Sequence, residues 1–201
     1  LPFIPISEEM AFASFVVLGD TELVSACAPE LVAKIGEVDA IVTAEAKGIA
    51  LAYEVSKELG HKEFIVARKS TKSYMKDVVS ASVHSITTAG EQHLYLDGKD
   101  ADKIRGKRVC LLDDVISTGE SLHALECLMA NASAEVVKKA AILAAFGAHR
   151  HGFRSFAGRA DVGSNFHRMA VAGDGRLHAS LIGQALAFFA AGAFAAGLLQ
   201  L

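Results

Sequence analysis

Residues 109–121 read VCLLDDVISTGES: an apolar run, two adjacent carboxylates, then small hydroxyl residues around a glycine. Val109, Leu111 and Leu112 predict a buried strand that leaves Asp113 and Asp114 at its carboxyl end, where carboxylates accept hydrogen bonds from a vicinal diol. Ser117, Thr118, Gly119 and Ser121 open a helix, and Val115, Ser117, Thr118, Gly119, Glu120 and Ser121 are the candidate phosphate-binding residues. The first N–H groups and positive dipole end of such a helix favour a phosphate, with the hydroxyls as added donors. Each half has a plain alternative, since a Ser or Thr often only caps a helix and an acidic pair is often only surface. Their adjacency at one strand-to-helix turn favours a single ligand carrying a diol and a phosphate, a ribose 5-phosphate. A Walker loop is excluded, because GxxxxGK is absent.

The elements that must position this turn follow from the apolar pattern. The opening reads as β-rich, in "FIPIS" and "ASFVVLG", and a helix is expected from Thr21 as its cap, with Pro29 as an interruption. "DAIVTA" predicts a strand; Ile49, Ala52, Val55 and Leu59 follow at helical spacing up to Gly60; "EFIVARK" predicts a second strand. That βαβ unit implies a parallel pair. Residues 70–102 alternate polar and apolar around "TTAGEQ", predicting a β-ribbon or flap. "KRVCLLDD" is the third core strand, Leu122, Leu125 and Leu128 mark the helix behind it, and "EVVKKAAILAAFG" is the fourth. The fold class is therefore α/β, an open, mostly parallel twisted sheet flanked by helices.

With 201 residues the chain has room for one well-buried domain and an appendage. A formal charge of −3 argues against long nucleic acid as a partner. Three cysteines without a CxxC pair fit a reducing, cytoplasmic setting, and "LPFIPIS" does not read as a secretory signal. His149 and His151 lack a third nearby ligand, so no metal site is expected there. Tyr53 and the C-terminal phenylalanines read as packing groups. No lysine follows Lys139 and no glutamate follows Glu135, and the segment beyond is rich in Ala, Gly, Phe, Arg and His. Its last stretch, residues 181–201, has no charged residue and reads as a buried or interface helix, a membrane tail, or a segment read in an altered frame.

The stretch VCLLDDVISTGES resembles the phosphoribosyl-pyrophosphate (PRPP) signature of type I phosphoribosyltransferases. Two further stretches match in order. "TAEAKGIALA" resembles the pyrophosphate-binding loop of adenine phosphoribosyltransferases and their relatives, here Glu45, Ala46, Lys47 and Gly48. "VARKSTK" resembles the segment after the second strand, whose basic residues approach the diphosphate, here Arg68, Lys69 and Lys72. The resemblance implies transfer of ribose 5-phosphate from PRPP to a purine-type, adenine-like base, with release of pyrophosphate. It implies Mg²⁺ held mainly by PRPP, with no direct protein ligation expected and Asp113 and Asp114 as the candidates for any contact, and Asp113, Asp114 and Lys72 as the catalytic set. A loop lysine is also commonly just a solvated charge, which is the alternative for Lys72. The implied layout is a phosphoribosyltransferase-like domain over 1–147, with a hood in about 1–20 and a water-excluding flap in about 70–102. Residues 148–201 stand apart as a hood or interface helix. The Glu-Tyr pair that adenine enzymes carry in the flap is replaced here by "HSITTAGEQH", leaving Glu91, His84 or Tyr74 as substitutes. A homodimer is expected, with PRPP and a nucleobase as partners. The alternative function is a non-catalytic PRPP-binding regulator of nucleotide metabolism.

Overall fold

Four apolar runs form the parallel core: β3 (Ala40–Ala44), β4 (Ile65–Ala67), β7 (Arg108–Ile116) and β8 (Glu135–Ala145), in the spatial order β4-β3-β7-β8. The computed structural model describes residues 3–5, 11–13, 15–84, 91–116, 119–145, 166–167, 170–173 and 176–179. Because successive strand residues face opposite sides, β7 sends Val109 and Leu111 into one core and Cys110 and Leu112 into the other. All four are fully buried. Such double-sided burial requires helices on both faces. On one side lie α1 (Thr21–Ile35) and α2 (Ile49–Glu58); on the other lies α4 (Glu120–Asn131).

Helix α1 is capped by Asp20, whose carboxylate accepts the Leu23 N–H at 2.9 Å, and not by Thr21, which is the first helical residue. Pro29 does not interrupt it. The proline and the carbonyl of Ser25, which it leaves without a helical donor, lie on the exposed face, and Val24, Cys27, Ala28, Leu31 and Ile35 bury a continuous stripe through the site. The buried thiols behave as small hydrophobes: burial raises Cys27 to about 11 and pushes Cys110 higher still.

Residues 70–102 are only partly a ribbon. Strands β5 (Val79–His84) and β6 (Glu91–Leu96) pair antiparallel, but residues 98–104 form the short helix α3 (Gly98–Ile104). Gly98 packs so closely on the preceding loop that a Cβ there would stand 2.8 Å from the Asp77 carbonyl oxygen. The ribbon's root belongs to the core, since Ala81, Leu94 and Leu96 are buried with α4 and the Asn131 amide donates to the Ser80 carbonyl at 2.8 Å. Near the chain's beginning, β1 (Phe3–Pro5) pairs with β2 (Ala11–Ala13), while residues 15–18 of "ASFVVLG" are not strand. Beyond residue 148 the described backbone is strand: β9 (Phe166–His167) pairs with β8, and β10 (Ala170–Gly173) and β11 (Arg176–Ala179) continue the sheet antiparallel from β8. This part extends the sheet, where the composition reads as hood or helix. Residues 181–201 lie outside the described residues, and among those described no helix is long and apolar enough to cross a membrane.

Candidate active site

Strand β7 carries the acidic pair, and it runs further than its apolar pattern alone implies. Val115 and Ile116 pair with Leu143 and Ala144 of β8, so Asp113 and Asp114 sit inside the strand rather than at its last residue. Val115 is therefore a strand residue, partly buried against the α1–α2 core. Asp114 is 5 % exposed, and its Oδ2 has no hydrogen-bond partner among the described residues. Asp113 accepts the Asp114 N–H on Oδ1 at 2.9 Å. Burial, and next the neighbouring Asp114 charge, raise the Asp113 carboxyl to about 7, while Lys69 pulls it back down. Two crowded carboxylates, one with an orphaned oxygen, form a site that is complete only when donors or a cation arrive.

Beyond the pair, Ser117 and Thr118 lie outside the described residues. Gly119 adopts a left-handed φ of 84° and precedes α4, which no side chain among the described residues caps. That φ suits glycine, and it leaves the helix N-terminus to whatever anion lies before it. Glu120 and Ser121 are the first helical residues, half-buried and exposed respectively. Only their backbone N–H groups and the Ser121 hydroxyl suit a phosphate; the Glu120 carboxylate does not.

The first basic loop is pressed against β7. Gly48 leaves no room for a Cβ, which would collide with the Thr43 hydroxyl and stand 3.5 Å from the Leu112 carbonyl oxygen and 3.6 Å from the Asp113 Cα. The Glu45–Ala46 peptide in this loop is cis, Ala46 is exposed, and Lys47 is exposed with no ion-pair partner among the described residues. Glu45 does not face outward as an anion binder. Its Oε1 accepts the Lys69 N–H at 2.6 Å and its Oε2 takes Arg68 Nη1 at 3.3 Å, so it stitches the second loop onto the first. Lys69 is near enough to Asp113 to act on its charge. Lys72 is not drawn into this group: its ammonium donates to Ser70 Oγ at 2.7 Å within its own loop.

The structure thus brings together Asp113, Asp114, Gly48, Glu45, Arg68 and Lys69. Sequence reasoning missed Thr43, whose hydroxyl lies under Gly48, and it named Tyr74 only for the base side of the site, whereas the Tyr74 hydroxyl accepts from Arg68 Nη2 at 3.0 Å. The conflict of a buried polar residue with an apolar strand marks Thr43 in retrospect; nothing in the spacing marks Tyr74. The contact places Tyr74 beside the basic loops rather than in the ribbon. Glu91 and the side chain of His84 lie in the part of the ribbon whose side chains are outside the described residues. Among the described residues no group of three or more His, Cys, Asp or Glu gathers for a metal.

Comparison with known proteins agrees with this arrangement. The chain is 34% identical over 102 residues to a xanthine phosphoribosyltransferase of Clostridioides difficile, covering 50% of this chain and 53% of that protein. It is 37% identical over 109 residues to a hypoxanthine/guanine phosphoribosyltransferase of Methanothermobacter thermautotrophicus, covering 54% and 52%. It thus spans about half the length of these curated relatives. Its fold matches an adenine phosphoribosyltransferase structure from Thermoanaerobacter pseudethanolicus with a TM-score of 0.57 at 20% identity, covering 70% of this chain and 81% of that one. The family model of the phosphoribosyl transferase domain matches residues 23–152, more than half of the chain, from α1 past the end of β8, and the protein belongs to that family.

Proposed function

We propose that the chain is a phosphoribosyltransferase that moves ribose 5-phosphate from PRPP to a purine base. The C1–O bond to the diphosphate breaks, a bond from C1 to a base nitrogen forms, and that nitrogen's proton leaves with pyrophosphate as the other product. The observation that carries this reading is the convergence of the acidic pair, with Asp114 buried and its Oδ2 unpartnered among the described residues, and two basic loops joined through Glu45.

Asp113 and Asp114 are assigned to the ribose hydroxyls, whose O–H groups are the donors Asp114 Oδ2 lacks. The turn from Ser117 to Ser121 is assigned to the 5-phosphate. Lys47, Arg68 and Lys69 are assigned to the diphosphate, where fixed cations stabilise the charge that gathers on the leaving group. The charge of the acidic pair favours the positive character growing on the ribose. Lys72, whose ammonium donates to Ser70 Oγ at 2.7 Å, is the remaining candidate cation of the second loop. The donor set also fits Mg²⁺ bound together with PRPP: Asp113 and Asp114 are the residues that would help hold it, and it would supply further charge neutralisation at the leaving group. A homodimer in the cytoplasm belongs to the same proposal; light scattering on the purified chain tests the dimer.

The base is a purine on this reading. The sequence relatives act, by their names, on xanthine or hypoxanthine and guanine, and the fold neighbour is named for adenine. Adenine, hypoxanthine, guanine and xanthine incubated in turn with PRPP and Mg²⁺ test it by pyrophosphate release. Base-dependent release with one or more purines is expected. Tight PRPP binding without turnover on any of them would replace the enzyme with a binding-only regulator.

A further inference from the structure

Arg68 leaves β4 with its backbone paired to Tyr95, N–H to carbonyl, at 2.9 and 2.8 Å. Its guanidinium is held at both tips, Nη1 on Glu45 at 3.3 Å and Nη2 on the Tyr74 hydroxyl at 3.0 Å. Tyr74 is 55% exposed, yet it is not a loose surface ring. The Lys99 ammonium lies over it, 5.9 Å from the ring centroid, and pairs with the Asp97 carboxylate at 3.2 Å. Asp97 is buried and also accepts the Lys76 N–H at 3.3 Å, while the Gly98 N–H donates to the Lys76 carbonyl at 2.8 Å. The segment from Tyr74 to Lys76 is thereby pinned to the start of α3, and the tyrosine hydroxyl is delivered to Arg68. A guanidinium recognises phosphate through parallel N–H bonds in a fixed plane, so what holds its plane sets how well it binds.

We propose that Tyr74 is a positioning residue for Arg68: it fixes the guanidinium for the diphosphate, and α3 fixes Tyr74 through Lys99. The inference rests on the assignment of Arg68 to the diphosphate made above. It gives a role in the transfer site to a residue in a turn-rich loop six positions beyond Arg68, and gives α3, none of whose residues is assigned a substrate contact, a part in leaving-group binding.

Calorimetry with inorganic pyrophosphate and, separately, ribose 5-phosphate, each with Mg²⁺, tests it on the full chain. Tyr74→Phe removes only the hydroxyl and should weaken pyrophosphate about 10-fold, with ribose 5-phosphate within about twofold and Tm unchanged. Lys99→Met loosens the ring without touching the hydroxyl and should weaken pyrophosphate about 2- to 5-fold. In an Arg68→Met background Tyr74→Phe should have no further effect, because its target is gone. Undiminished pyrophosphate affinity in Tyr74→Phe, equal weakening of both ligands, or the same loss with and without Arg68 would each overturn the inference. Failure of the unaltered chain to bind pyrophosphate at all would instead sink the functional reading beneath it.

Discussion

The acidic end of β7 and the basic segment from Arg68 to Lys76 serve the same candidate site but are built differently. Asp113 and Asp114 are placed by a ladder to β8 on one side, with both faces of the strand buried just before them. Arg68 and Lys69 emerge from a three-residue strand, and the side chains of Glu45, from the first loop, and Tyr74, from their own loop, set their position. A strand end is held by backbone bonds whose cost of ordering the core already covers. A loop held by exposed side-chain contacts depends on each of them, and each is worth only a little on its own. Changes at the two regions should therefore differ in kind: the acidic end should lose function without losing order, and the loops should lose affinity by degrees.

The largest effect is expected at the pair. Asp114→Asn should reduce kcat/KM for PRPP by about 10- to 100-fold or more, the value of a charged hydrogen bond, while the far-ultraviolet circular dichroism stays that of the unaltered chain. Normal PRPP kinetics in this variant would remove the sugar from β7. Gly48→Val comes next, because it forces a side chain into the Thr43 hydroxyl and toward the β7 backbone; it should cost about 1 to 3 kcal/mol in urea unfolding and weaken PRPP as the loop is pushed away. A fully stable variant would show that the first loop is not pressed on the strand.

Asp113 offers a test that separates function from stability. Its folded value is raised to about 7, above the 3.8 of an ordinary aspartate, so between those values the folded chain holds more protons than the unfolded one. The stability it contributes is present below about pH 4 and is lost as pH rises through 7. Without ligand, Asp113→Asn should therefore raise Tm by about 2 to 8 °C at pH 8, with the gain shrinking toward pH 4, while PRPP use falls. Thermal scans at several pH values would contradict this if the variant were equally or less stable at pH 8. The smallest effect is expected from Glu45→Gln, which keeps a hydrogen-bond acceptor but removes the charge facing Arg68. Its partly exposed geometry suggests a loss of about 1 kcal/mol, read as a several-fold rise in KM for PRPP with kcat little changed. Equal falls in kcat would make Glu45 more than a stitch.

The same contrast explains what was legible in the sequence. Strands β3, β7 and β8 announce themselves through apolar runs, and the acidic pair through its conflict with such a run, because a sheet's physics is written in neighbouring residues. The pattern points to Thr21 as the cap of α1 where Asp20 serves, since both residue types cap helices, and to Pro29 as a break where the buried stripe from Val24 to Ile35 carries the helix through. Helix α3 was missed because its seven residues make too short a pattern, and its start is set by the contact of Gly98 with the loop before it. Glu45 was read as a ligand for diphosphate because its motif sits in that loop; only the fold shows it facing Arg68 and Lys69. Tyr74 lies six residues from Arg68, and no periodicity joins them.

The most direct test is a crystal structure of the chain with Mg²⁺ and a non-hydrolysable PRPP analogue. The account predicts ribose hydroxyls on Asp113 and Asp114, the 5-phosphate before α4, and the diphosphate against Lys47, Arg68 and Lys69. An analogue bound elsewhere, with the Asp114 carboxylate untouched, would contradict it.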